Sequence, residues 1–275
     1  MDLYISDLDG TLLGSDARLS DFSLNAVNSL IDDGISFSVA TARTYATVKK
    51  ILCGVNFKIP VILMNGALIF DVQNQQYVFK AYIDKENLAY VTSAIHLHKV
   101  SAFMYTVENS ELTAYYEQIA NEPMRKFYEE RKYKYYKKFE QISSLDEIRE
   151  DVVYFSIFDT QEKLSPLYDD LQNIQGIKAV FYQDVYSENL WYLEIFSLQA
   201  SKKNAVNFLK ERYSFDKVYA FGDNLNDLSL FEASDFCCAV ENANEKLKAK
   251  ANQIIGSNDN DGVAKYLLNK FGKDF

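Results

Sequence analysis

The stretch Leu3-Tyr4-Ile5-Ser6-Asp7-Leu8-Asp9-Gly10-Thr11 decides how this chain is read. Leu3 to Ser6 has the length and apolar character of a buried strand, and the acids and glycine after it open a loop. Asp7 and Asp9 stand two apart, so on extended backbone their side chains leave from the same side. Two carboxylates converging there repel, and a hard dication is the natural remedy. Mg2+ takes oxygen ligands and keeps places for water and a phosphate. An aspartate in this position can also attack phosphorus. A second carboxylate nearby can protonate the leaving oxygen and later activate water. The plainer reading is a pair of turn-forming acids before Gly10.

After Ser20-Asp21, Phe22, Ala26, Leu30 and Ile31 recur at helical spacing, and Gly34 stops the pattern. Residues 35–40 read as a second strand, 45–52 as a helix, and 60–64 as a third strand ending in Asn65-Gly66. Strand alternating with helix implies a parallel sheet. Ligands of such sheets bind beyond the carboxyl ends of the strands. Asp7-Leu8-Asp9, Thr41-Ala42-Arg43 and Asn65-Gly66 all lie at such ends.

The texture changes near residue 82. Strands at 101–107 and 111–116 flank Asn109-Ser110 as a hairpin. A charged, Tyr-rich stretch covers 123–139, and a strand at 152–158, a helix at 161–174 and strands at 177–182 and 190–196 follow. From Ser201 the first rhythm resumes. A helix at 202–213 precedes the strand 218–221, which ends in Gly222-Asp223-Asn224-Leu225-Asn226-Asp227, and another strand covers 237–240. The predicted architecture is an α/β core built from residues 1–82 and 197–275, with an α+β domain inserted at 83–196.

A formal net charge of -10 argues against nucleic acid or an anionic membrane as a partner. Any phosphate ligand then needs local positive charge. Cys53, Cys237 and Cys238 show no Cys-x-x-Cys spacing and, with only His96 and His98, make a poor zinc set. They read as reduced, buried hydrophobes. The amino terminus runs straight into a strand rather than a signal peptide, and no apolar run reaches the ~20 residues of a membrane span. The expected location is the cytoplasm.

Asp223 and Asp227 add two acids at the end of another core strand, although an acidic loop can also simply cap the next helix. Phosphoryl transfer is mostly positioning and charge stabilisation, so a hydroxyl and a cation are also needed. Thr41 offers the hydroxyl; its plainer reading is a helix cap. Lys202 offers the cation, with Lys203 as the adjacent alternative. The seven Lys and Arg between Arg125 and Lys138 read as a solvated helix face rather than a nucleic-acid surface, and His96 and His98 as surface residues.

These motifs in this order resemble the haloacid dehalogenase superfamily, in its Cof-type sugar-phosphatase branch. Asp7-Leu8-Asp9-Gly10-Thr11-Leu12 is similar to the first motif, Thr41-Ala42-Arg43 to the second, Ser201-Lys202 to the third and Gly222-Asp223-Asn224-Leu225-Asn226-Asp227 to the fourth. The branch commonly has Gly where Ala42 and Lys203 stand. The resemblance implies a Rossmann-like parallel-sheet core with an inserted α/β cap, and a Mg2+-dependent phosphatase of small phosphorylated metabolites. Asp7 would be nucleophile and metal ligand. Asp9 would be the acid/base, with its backbone carbonyl on the metal. Thr41 with Ala42 and Lys202 would hold the phosphoryl oxygens, with Asn226 close by. Asp223 would ligate Mg2+ and Asp227 would support the metal site. A phosphomutase of the same fold shares the aspartyl-phosphate step. A receiver-like protein would be shorter and lack the insert, and a non-catalytic binding protein would not need the full acid set.

Overall fold

In the computed structural model, which describes residues 1–184 and 189–273, every residue of β1 (Leu3–Ser6) is buried. A strand buried on both faces belongs inside a parallel sheet covered by helices. The chain continues through α1 (Asp21–Asp32), β2 (Ser36–Val39), α2 (Tyr45–Ile51), β3 (Val61–Leu63), β4 (Leu68–Asp71), β5 (Gln76–Lys80), α3 (Lys85–Leu97), β6 (Ala102–Glu108) and β7 (Glu111–Tyr116). It then forms α4 (Glu122–Tyr135), β8 (Lys138–Gln141), β9 (Val152–Asp159), α5 (Gln161–Leu171), β10 (Ile177–Gln183) and β11 (Trp191–Ser197). The last stretch holds α6 (Lys202–Tyr213), β12 (Val218–Gly222), α7 (Leu228–Phe231), β13 (Phe236–Val240), α8 (Glu245–Lys248), β14 (Gln253–Ile255) and α9 (Gly262–Lys270). Two compact units result: Met1–Phe79 with Ser201–Phe275, and Lys80–Ala200. The final two residues of the expected segment 197–275 lie outside the described residues.

In the first unit a five-stranded parallel sheet runs in the order β14-β13-β12-β1-β2. Leu3, Ile5, Leu30, Val39, Phe221 and Leu267 are among its fully buried core side chains. The predicted helix after Ser20 is α1. The Ser20 side chain accepts the Ser23 amide, and Ala26, Leu30 and Ile31 face inward as their spacing requires. The third expected strand departs from the simple alternation. β3 reaches the parallel sheet through one bridge, Ala40 to Ile62, and otherwise pairs antiparallel with β4 in a separate sheet ordered β3-β4-β5. Left-handed backbone at Asn65 and Gly66 (φ 54° and 95°) folds the chain back at that point. A Cβ on Gly66 would lie 2.1 Å from the Ser201 carbonyl oxygen, so only glycine lets this turn meet the start of α6.

The register of β1 positions the loops that matter. Ser6 pairs with Phe221 on one side and Val39 on the other, so the chain ends after β12 and β2 flank Asp7. This is a switch point, where sequence neighbours leave a central strand in opposite directions and open a crevice.

The second unit is a six-stranded sheet ordered β10-β11-β9-β6-β7-β8, antiparallel except where β7 meets β8. Val91 and Ile95 of α3 and Leu164 and Leu167 of α5 pack with Met104, Phe155 and Leu193 of the sheet. Alternate strand residues point to the opposite face. There Phe103 packs on Phe127 of α4 at 5.5 Å, and Tyr154 stacks on Phe196 at 5.4 Å. The basic stretch is a charge-laced helix: Arg125 pairs with Glu122, and Lys134 with Glu130. His96 bonds Glu117 at 2.8 Å and His98 bonds Asp170 at 2.6 Å. Cys237 and Cys238 are buried, whereas Cys53 is exposed, because it follows α2 at the surface rather than facing the core. Among the described residues, no helix is long and apolar enough to cross a membrane.

Candidate active site

Asp7 follows β1 and is 5% exposed; its amide donates to the Phe221 carbonyl at 2.9 Å, which pins it beside β12. The chain then leaves the strand through a turn at Leu8–Leu12 that is not regular helix, because Asp9 is extended and Gly10 is left-handed (φ 76°). A Cβ on Gly10 would lie 2.5 Å from Asp223 Oδ2. Glycine therefore allows the Asp223 carboxylate to lie against this loop. Thr11 Oγ1 donates to Asp223 Oδ1 at 2.9 Å and fixes its direction.

Lys202, at the first position of α6, is 1% exposed. Its ammonium donates to Asp7 Oδ1 at 2.5 Å and to Asp227 Oδ1 at 2.6 Å. Lys203 instead points to solvent and reaches Glu232 at 3.2 Å, with both side chains about half exposed. Burial, not residue type, thus separates the two neighbouring lysines.

Asp227 is fully buried, and its second oxygen accepts the amides of Asp223 (3.0 Å) and Asn224 (3.1 Å). It caps its turn and buttresses Lys202 at once. Oxygens of Asp7, Asp223 and Asp227 lie within 4.8 Å of one another. Three carboxylates around one ammonium leave an excess of negative charge. Burial pushes the Asp7 carboxyl well above the ordinary range; Lys202 opposes this, and Asp227 and Asp223 add to it. Burial and then Asp227 push Asp223 up to about 6. Burial works to lower Lys202, but Asp7 and Asp227 more than reverse it, and the ammonium stays charged. Among the described residues, Asp7 Oδ2 and Asp223 Oδ2 accept no side-chain hydrogen bond. An all-oxygen donor set with uncompensated charge fits a hard divalent cation.

Asp9 stands outside this cluster. Its carboxylate accepts both Arg43 Nε (2.7 Å) and Arg43 Nη2 (2.5 Å), a bidentate pair about half exposed on the Asp9 side. Arg43 was not among the predicted site residues; the only sequence signal was its place two residues after Thr41 at a strand end. Thr41 is 1% exposed, and its hydroxyl accepts the Arg43 amide at 3.1 Å. Ala42 is exposed. Asn226 is also exposed, and among the described residues it makes no hydrogen bond to Lys202. Asn65 donates its amide to the Thr41 carbonyl at 3.0 Å, which ties its turn to the end of β2.

The phosphatase YwpJ of Bacillus subtilis (strain 168) is 29% identical over 98% of this chain and 100% of its own length. The pyridoxal phosphate phosphatase YbhA of Escherichia coli (strain K12) is 26% identical over 95% of each. A crystal structure of a haloacid dehalogenase-like hydrolase from Bacteroides thetaiotaomicron has the same fold. It superposes with a TM-score of 0.79 over 98% of this chain and 99% of that one, at 22% identity. The family model described as haloacid dehalogenase-like hydrolase matches residues 4–267, nearly the whole chain, and the chain belongs to that family.

Proposed function

We propose that this hydrolase is a Mg2+-dependent phosphatase of small phosphorylated metabolites that works through an aspartyl phosphate on Asp7. The observation that carries the reading is the buried Lys202 ammonium held between Asp7 and Asp227, with Asp223 completing the acid cluster. A buried lysine among three carboxylates is costly as mere structure. It is useful where a phosphoryl group must be held against a carboxylate nucleophile.

Asp7 and Asp223 would hold the metal through their oxygens, with Asp227 behind them and the backbone at Asp9 near by. When bound, Mg2+ supplies positive charge to the carboxylates and to the phosphoryl oxygens. Lys202 and the Thr41 hydroxyl orient those oxygens. An Asp7 oxygen attacks phosphorus, the bond from phosphorus to the ester oxygen breaks, and Asp9 gives that oxygen a proton. Water then attacks the aspartyl phosphate, Asp9 takes the proton back, and phosphate leaves with the Asp7 carboxylate restored. Arg43 orients Asp9 between these steps. The inserted domain, expected at 83–196, is assigned the choice of leaving group.

The test is a panel of sugar phosphates, nucleotides, flavin mononucleotide and pyridoxal phosphate, each with Mg2+ and with chelator. At least one ester is hydrolysed with Mg2+, and chelator abolishes the activity. A chain inactive on every ester, or indifferent to chelator, contradicts the reading. On the best ester, Asp9→Asn lowers kcat by ~10²–10⁴-fold while substrate still binds. Turnover near the wild-type rate would reject Asp9 as acid/base.

A further inference from the structure

Within the loop that carries Asp7 and Asp9, the Leu13 amide donates to the Leu8 carbonyl at 2.9 Å. The carbonyls of Gly10 and Leu13 are taken up from elsewhere in the chain. Asn242, just past β13, donates its side-chain amide to the Gly10 carbonyl at 2.8 Å. Asn258, in the turn Asn258–Asn260 before α9, donates its side-chain amide to the Leu13 carbonyl at 2.9 Å. The two asparagines are joined, because the Asn258 backbone amide donates to Asn242 Oδ1 at 3.0 Å. Each group needs the atom it meets. Asn242 must donate at one end and accept at the other, which fixes its orientation and makes asparagine the fitting residue.

The same segment holds the second acidic loop. The Asn244 amide donates to the Asp223 carbonyl at 2.7 Å. Asp259 accepts the Ser15 amide at 2.7 Å, extending the clasp beyond the loop. Residues 242–244 therefore grip the backbone beside Asp9 and the backbone of Asp223 together. Asn258 is only 9% exposed, so its bonds are made away from competing water.

We propose that Asn242 and Asn258 are positioning residues that set the loop of Asp7 and Asp9 against the loop of Asp223. They touch no reacting atom. Their effect on rate passes through the placement of Asp7 and Asp9, whereas Lys202 and Thr41, which orient the phosphoryl group, are carried by α6 and the end of β2. Loss of the clasp therefore lowers kcat and spares KM. This kinetic part rests on the phosphatase reading; the grip on the loop does not.

The test is Asn242→Asp, which matches asparagine in shape. It keeps an acceptor for the Asn258 amide but sets an oxygen against the Gly10 carbonyl. Hydrogen–deuterium exchange of residues 8–14, measured without substrate, becomes faster than in the wild type, while β12 exchanges as before. On the best ester, kcat falls ~10–100-fold with KM within about twofold. Unchanged exchange in residues 8–14 overturns the clasp. Faster exchange with unchanged kcat reduces it to a structural tie and overturns the positioning role, as does a matching rise in KM. Should Asn242→Asp fail to fold, Asn258→Asp removes the donor to Leu13 and is held to the same outcomes. If the wild type hydrolyses nothing, the functional reading falls, and the exchange measurement still decides the clasp.

Discussion

Asp7→Asn is expected to lower kcat by at least ~10⁴-fold on any ester the wild type hydrolyses, because in the proposed mechanism Asp7 is the nucleophile itself. The substitution keeps the shape of the side chain and leaves Lys202 its bond to Asp227. Stability should move the other way. Asp7 shares a cluster with Asp223 and Asp227, and the Lys202 ammonium pairs with two of the three carboxylates, Asp7 and Asp227. Removing one negative charge relieves repulsion that only a cation otherwise offsets. In chelator, the variant therefore melts no lower than the wild type. Added Mg2+ then raises the wild-type Tm more than the variant's, since a ligand stabilises only the state that binds it. Thermal melts with and without Mg2+, alongside the rate assay, check both halves. A variant with substantial turnover, or with an undiminished Mg2+ shift, would remove Asp7 from its assigned place.

Lys202→Met carries the second large effect. The methionine stem replaces most of the lysine packing, but the buried Asp7 and Asp227 lose their ammonium. Stripping one partner from a buried ion pair costs about 3–5 kcal/mol, since the charge left behind stays desolvated. Urea unfolding with an unchanged slope reads this as a lower midpoint. Turnover falls as well, by about 10²–10³-fold, as for other groups that stabilise developing charge. Lys203→Ala is the control. Its exposed pair with Glu232 contributes within about 0.5 kcal/mol, and its activity stays near wild type. Equal losses for the two lysines would contradict the assignment.

The sequence exposes the parts of this site that depend on local pattern. Asp7, Asp9, Asp223 and Asp227 follow short apolar runs, and a strand end is a local signal. Thr41 is legible for the same reason. The choice between Lys202 and Lys203 is not, because both begin the same helix and only the rotation of α6 buries one of them. Arg43 is hidden differently. An arginine after a strand looks like any surface arginine until Asp9 is placed opposite it. Asn242 and Asn258 are hidden most deeply. Their partners are backbone carbonyls 232 and 245 residues away, and no side-chain pattern marks a carbonyl. The fold shows the same division. The alternation of strand and helix predicts β1, α1, β2 and α2. It does not reach β4 and β5, where a left-handed turn, rather than a helix, follows β3.

The pairing of β1 with β12 has a consequence for how the protein is made. Leu3 meets Val218, and the whole of Lys80–Ala200 lies between them in the chain. A ribosome delivers β1 and β2 early and must translate the inserted unit before β12 emerges. Throughout that interval β1 has one bare edge, apolar and unpaired, of the kind that recruits other chains. The strand that leads into Asp7 is thus also the one left waiting longest for its neighbour. Nascent chains stopped before β12 lack Asp223 and Asp227, and they present the bare edge of β1 to the cell.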